Sequence, residues 1–185
     1  MSEASLVLVG FAWRDAGAAA RLRAAAGNRG TARLFRAIDG HEGCAYVAPG
    51  PALDARALLA AIRVALPDAQ LSLLEQLKGI AGASAAEDAR WRYVVETDVL
   101  AEREADFNAW YDAEHLAGLA AVQGCVRAMR FRRVEGAPRY EACYDLARRE
   151  AFGSAEWLAV RATPWSARVR PAFLNTRRTM FARVV

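Results

Sequence analysis

Trp91-Arg92-Tyr93-Val94-Val95-Glu96-Thr97-Asp98-Val99-Leu100 reads as a strand, and residues 102–122 behind it read as a helix stopped near Gly124. Strand-like runs follow at 125–134 and 139–146, then a helix at 149–161 and a strand at 175–184. That is the order β-α-β-β-α-β. Working back towards the N-terminus, the first half repeats it. Residues 5–13 form an apolar strand, and 15–26 an Ala/Arg-rich helix closed by Gly27-Asn28. Residues 31–38 and 44–48 form strands joined at Asp39-Gly40, a pair suited to a type I′ turn. Residues 51–66 form a helix between Pro51 and Pro67, and 70–78 a fourth strand, although the Leu, Glu and Gln content of that run leaves a helix open. Residues 79–90 are small, polar and aperiodic, and read as a linker.

The expected fold class is therefore α+β, with two tandem ferredoxin-like βαββαβ units over residues 1–78 and 91–185. Such a unit covers one sheet face with helices and leaves the other bare. Leu6-Val7-Leu8-Val9 is too apolar on both faces for one of them to remain in water. The bare faces should thus meet and form a barrel, within one chain or between two. In the second hairpin, a two-residue turn at Gly136-Ala137 sets Arg132 opposite Glu141 and Arg130 opposite Cys143. A slip by one residue sets Arg133 against Arg139, so the first register is favoured. It turns Arg130, Arg132, Glu141 and Asp145 into the barrel, with Glu96 and Asp98 from the preceding strand.

The 185 residues are 55% hydrophobic, enough for a substantial core. No run approaches the roughly 18 uncharged apolar residues of a membrane span, and no signal peptide opens the chain, so a cytoplasmic protein is expected. Cys44, Cys125 and Cys143 are odd in number and widely spaced, which reads as buried thiols. The net charge is +4, carried almost wholly by arginine, with Lys78 the sole lysine. No basic run exceeds a pair, and the tyrosines of 139–144 are four apart and face the helices. Both features argue against nucleic acid as a partner.

Function points to the 102–122 helix. Phe107-Asn108-Ala109-Trp110-Tyr111-Asp112-Ala113-Glu114-His115-Leu116 holds two carboxylates, an amide and one of only two histidines. At 100° per residue Tyr111 and His115 share a stripe, Asn108 and Asp112 lie beside it, and Trp110 and Glu114 flank it. His115 can serve as a general acid or base with Asp112 and Tyr111 assisting, or as a hydrogen-bonded structural residue. Asn108, Trp110, Glu114, Arg130, Arg132 and Tyr144 are the candidate ligand-binding residues, the arginines for an anion. Two histidines in separate halves and scattered cysteines give no converging metal set.

Trp-Tyr-Asp-x-Glu-His at 110–115, Gly124 before the Arg-rich strand with Arg127 and Arg130, Pro138-Arg139-Tyr140 with Tyr144, and the tail at 163–166 and 175–178 together resemble the EthD-like branch of the dimeric α+β barrel superfamily. The resemblance covers about residues 91–185. It implies sheet-to-sheet pairing and a small-molecule cavity between sheet and helix. Its relatives include monooxygenases, isomerases and cyclases, often without a cofactor. The family's helix commonly continues His-x-Pro, where this chain has His115-Leu116-Ala117. The expectation is a small-molecule-binding barrel without a cofactor, its ligand partly apolar and anionic or carbonyl-bearing. A cofactor-independent enzyme using His115 and a purely structural module remain the alternatives. Trp157, Trp165 and Phe173, read as partly uncovered, suggest a homodimer.

Overall fold

The computed structural model describes residues 5–13, 17–27, 30–51 and 54–184. The first unit contains β1 (Ser5–Ala12), α1 (Ala18–Ala26), β2 (Gly30–Ala37), β3 (Glu42–Pro49), α2 (Ala55–Ala65) and β4 (Gln70–Ala81). The second contains β5 (Trp91–Val99), α3 (Glu104–Trp110), a π turn (Tyr111–His115), α4 (Leu116–Ala120), β6 (Cys125–Arg133), β7 (Tyr140–Leu146), α5 (Ala155–Arg161), α6 (Pro164–Val169) and β8 (Phe173–Val184). The eight strands close in the order β1-β3-β2-β8-β5-β7-β6-β4. Each half keeps the ferredoxin-like arrangement, and the halves join through β2 with β8 and β4 with β6, all antiparallel. The barrel therefore closes inside one chain and leaves no free sheet edge.

Period-two alternation explains both layers. Val7 and Val9 face α1 and α2 in one core with Leu22, Leu58 and Ile62, while Leu6 and Leu8 pack into the barrel. In the second half Tyr93, Val95, Tyr140 and Tyr144 pack against the helices with Phe107, Trp110 and Trp157. Val94, Met129, Phe131 and Cys143 point inward to meet Phe35, Tyr46 and Leu74. Helix starts follow their caps: Asp54 accepts from the Ala57 amide at 2.7 Å, Ser154 from Trp157, and Thr163 from Ser166 with Pro164 next. The helix of α3 to α4 ends where Gly124 takes φ +92; a Cβ there would meet that of Ala151 at 2.8 Å.

Several local expectations need correction. The 79–90 stretch does not begin as a linker, because β4 runs on to Ala81 and pairs Gly79 with Met129 and Ala81 with Arg127. The β2–β3 loop spans Ile38 to His41, and only Gly40 has positive φ, so it is not a type I′ turn. The β6–β7 hairpin adopts the slipped register, with Arg132 opposite Tyr140, Phe131 opposite Glu141 and Met129 opposite Cys143. Arg133 does sit against Arg139. Both charges are met from elsewhere, Arg133 by Glu96 at 2.6 Å and Arg139 by Glu104 at 3.2 Å. The slip turns Arg130 and Arg132 away from the barrel and Arg133 into it. Trp157, expected partly uncovered, is 0% exposed.

Candidate functional site

The interior of the barrel differs from end to end. At the end where β5 begins and β7 finishes, Arg92 lies inside the sheet and donates two hydrogen bonds to Asp145, at 2.7 and 3.1 Å. Its guanidinium carbon sits 4.2 Å from the Phe35 ring centre and 4.3 Å from that of Tyr46. Arg127 approaches the same carboxylate at 3.4 Å and Arg33 at 3.9 Å, so ion pairs and rings fill this end.

The opposite end is a cavity of about 450 Å³. Leu8, Phe11, Val94 and Phe181 give it apolar walls, and Tyr46, Glu96, Glu141, Arg133 and Arg177 add polar groups. The Tyr46 hydroxyl donates to Glu141 Oε1 at 2.6 Å, and the Cys143 thiol donates to the same oxygen at 3.2 Å. Arg133 bridges Glu96 and Glu141, at 2.6 and 3.4 Å. Arg177 joins Glu96 at 2.6 Å and Glu42 at 2.8 Å on the rim. Burial pushes the Glu141 pKa above the ordinary carboxylate range; the Tyr46 hydrogen bond and Arg133 oppose this without cancelling it. Burial also raises Tyr46 and Cys143. Tyr46 and Cys143 therefore act as donors to Glu141, whose second oxygen faces Arg133, and the cluster is a buried polar patch in a chamber with apolar walls.

The helix motif forms a second, much smaller cleft on the other face of the same sheet. Trp110, Tyr111 and His115 line it with Tyr93, Tyr144 and Trp157, and it encloses about 30 Å³. The π turn brings His115 onto Trp110, ring centres 4.0 Å apart and nearly parallel, with the Tyr111 ring edge-on at 5.4 Å. His115 Nδ1 is buried and finds no hydrogen-bond partner among the described residues. Burial, then the charges of Arg161 and Arg170, lower the His115 pKa from its usual 6.5 to about 3, so the ring is neutral near pH 7.

No protein-family model matches the chain, and a search of curated proteins finds no match. Solved structures do match. An anthrone oxidase-like protein superposes with a TM-score of 0.68 at 12% identity, covering 99% of this chain and 92% of that one. A ferredoxin-fold protein from Listeria monocytogenes, related to antibiotic biosynthesis monooxygenases, gives 0.61 at 10% identity over 99% and 96%. A chlorite dismutase from Candidatus Nitrospira defluvii gives 0.59 at 11% identity over 98% and 92%. The chain shares with them a ferredoxin-like α+β barrel fold. Identities this low carry the architecture alone, and no described helix is long and apolar enough to cross a membrane.

Within this barrel the nine residues singled out from the sequence separate. Tyr111, His115, Trp110 and Tyr144 meet in the helix cleft. Arg130 lies behind them, donating to Asn108 Oδ1 at 2.5 Å, with its charge 4.4 Å from the Tyr111 ring centre. Asp112 is half-exposed and 3.9 Å from Arg130, while its carbonyl accepts from Lys78. Glu114 accepts from Trp110 Nε1 at 3.2 Å and Thr163 Oγ1 at 2.6 Å. Neither carboxylate orients the imidazole. Arg132 pairs with Glu75 on β4, away from the cleft. Asp98 does not line the chamber and instead accepts from the Arg139 amide and from Asn175. Trp110 stacks on His115, and the space beside the imidazole would hold about one water. Tyr46, Arg133 and Arg177 were not foreseen as site residues. The alternation of Cys44 and Tyr46 along β3 was the available signal for Tyr46.

Proposed function

We propose that the protein binds a small molecule in the open end of its barrel. The observation that supports this most directly is the roughly 450 Å³ chamber, with apolar walls and a buried Tyr46–Glu141–Cys143 cluster. Ligand pockets commonly combine about that volume with a few convergent polar groups. The ligand is partly apolar and carries a carbonyl or similar acceptor for the guanidinium groups of Arg133 and Arg177, which line the chamber. An anion is disfavoured, because Arg133 and Arg177 already share Glu96, and Glu42 and Asp68 add negative charge around the chamber. The EthD-like pattern of residues 91–185 supports a small-molecule role of the same kind.

The test is to fill the chamber. Ser72 lines it from β4, and Ser72→Phe reduces its volume without touching the polar cluster. A thermal-shift screen of neutral aromatic and aliphatic ketones should yield binders whose shift is lost in Ser72→Phe. Binders that bind both proteins equally would refute the chamber as their site.

An enzymatic reading with His115, Asp112 and Tyr111 draws on one specific observation, the π turn carrying the motif, since such turns recur at functional sites. A neutral His115 with a pKa near 3 is a poor base at pH 7. His115→Ala separates the readings. Loss of turnover by roughly 10²-fold in a normally folded variant supports catalysis. Loss of about 2 kcal/mol or more of stability with ligand affinity intact assigns His115 to the scaffold.

A further inference from the structure

Most arginines in contact with either compartment have an acidic partner: Arg92 has Asp145, Arg133 has Glu96 and Glu141, and Arg177 has Glu96 and Glu42. On the outer surfaces Arg168 has Asp106 and Arg183 has Asp88. Three arginines that line the smaller cleft have none, and they converge. Arg161 ends α5, Arg170 follows α6, and Arg178 lies on the helix-facing side of β8, next to Arg177 which faces the barrel. All three line the His115 cleft. Among the described residues none of them forms a salt bridge, and the charges felt by Arg170 are those of its two neighbours and of tyrosines.

We propose that Arg161, Arg170 and Arg178 form an oxyanion-binding site at the mouth of the His115 cleft. It takes the carboxylate or phosphate group of a small molecule, with Tyr93 and Phe173 as the adjoining apolar wall. Three like charges from three elements around one cleft repel one another, and a planar fork of donors on each suits a multidentate oxyanion. Burial and the two neighbouring charges together lower the Arg170 pKa. The cleft's roughly 30 Å³ has room for about one water, so the anionic head rests at the mouth among the three guanidinium groups and the rest of the molecule lies outside. His115 Nδ1, buried in the same cleft without a partner among the described residues, adds an unsatisfied polar atom where the group would approach. This site lies across the sheet from the barrel chamber, since Tyr93 and Val95 of β5 face it while Val94 and Glu96 face the chamber.

Calorimetric titration with inorganic phosphate, and in a parallel arm with acetate, tests the site at constant ionic strength balanced by sodium chloride. Saturable binding of at least one anion is expected. Arg178→Gln and Arg170→Gln, both at exposed positions, should weaken it tenfold or more. Arg168→Gln, which removes the arginine paired with Asp106, should leave it unchanged. Without added anion and at low salt, Arg178→Gln should be no less stable than the natural chain, because it relieves repulsion. Absence of saturable heat in both arms, or equal binding by the Arg178 and Arg170 variants, would overturn the proposal. Ser72→Phe should bind phosphate or acetate normally, so failure of the chamber reading and failure of this one are distinguishable.

Discussion

The two ends of the barrel use the same residue types to opposite effect. At one end Arg92 and Asp145 form a bidentate buried pair, and Phe35 and Tyr46 close over the guanidinium. At the other, Arg133 bridges Glu96 and Glu141 along one side of an open chamber, with Arg177 and Glu42 at its rim. The difference lies in the neighbours. Where aromatic rings complete the packing, the ions become a plug. Where Leu8 and Gly10 leave space, the ions become a wall. Buried charge by itself therefore says little about function, and the volume beside it decides the reading.

Graded substitutions can break this contrast. Arg92→Met should cost the most, about 3 kcal/mol in urea denaturation, because Asp145 stays buried with only the partly exposed Arg127 and Arg33 near it. Arg133→Met at the open end should cost less, about 2 kcal/mol by the same measurement, since Arg177 still reaches Glu96. Equal losses would mean the two ends do not differ in solvation. Tyr46→Phe removes one hydrogen bond to Glu141 and should lower stability by about 1 kcal/mol, read from the thermal midpoint at fixed pH. Arg177→Gln should change stability by no more than about 0.5 kcal/mol, as its side chain is 52% exposed.

The pH dependence sharpens the contrast because the two ends carry opposite signs. Burial pushes the Asp145 pKa up, but Arg92, Arg127 and Arg33 outweigh it and hold it below the usual carboxylate range. Its stabilisation is present above the unfolded pKa and disappears as pH falls through the folded one. Glu141 lies above the usual range, so its contribution is full at low pH and fades as pH rises through its folded pKa. Asp145→Asn should flatten the acid side of a stability–pH curve, and Glu141→Gln the side towards neutrality. Curves that move in the same direction would show that one of the two directions is misassigned.

Element order was legible because each element carries its own signals, as with Pro67 just beyond the end of α2 and the two-sided apolarity of β1. Register was not. Setting Arg133 against Arg139 looked repulsive within the hairpin, yet Glu96 and Glu104, both far away in sequence, supply the compensating charges. A pairwise rule applied to one hairpin cannot see partners brought in by β5 and α3. That error turned Arg130 and Arg132 the wrong way, while the inward placement of Glu141 and Glu96 was read correctly. The π turn was also hidden. A 100° wheel puts Tyr111 and His115 on one stripe, whereas the wider turn stacks His115 on Trp110, five residues back.

Closure of the barrel within one chain has a consequence for symmetry. In a barrel built from two identical chains every interior residue appears twice, so an inward glutamate must face its own copy across the axis. Here β1 supplies Leu6, Leu8 and Gly10 where β5 supplies Arg92, Val94 and Glu96. A single chain lets one half be oily while the other carries the buried acids Glu96, Glu141 and Asp145. A molecule entering the chamber therefore meets two unlike walls, and has one way round rather than two equivalent ones.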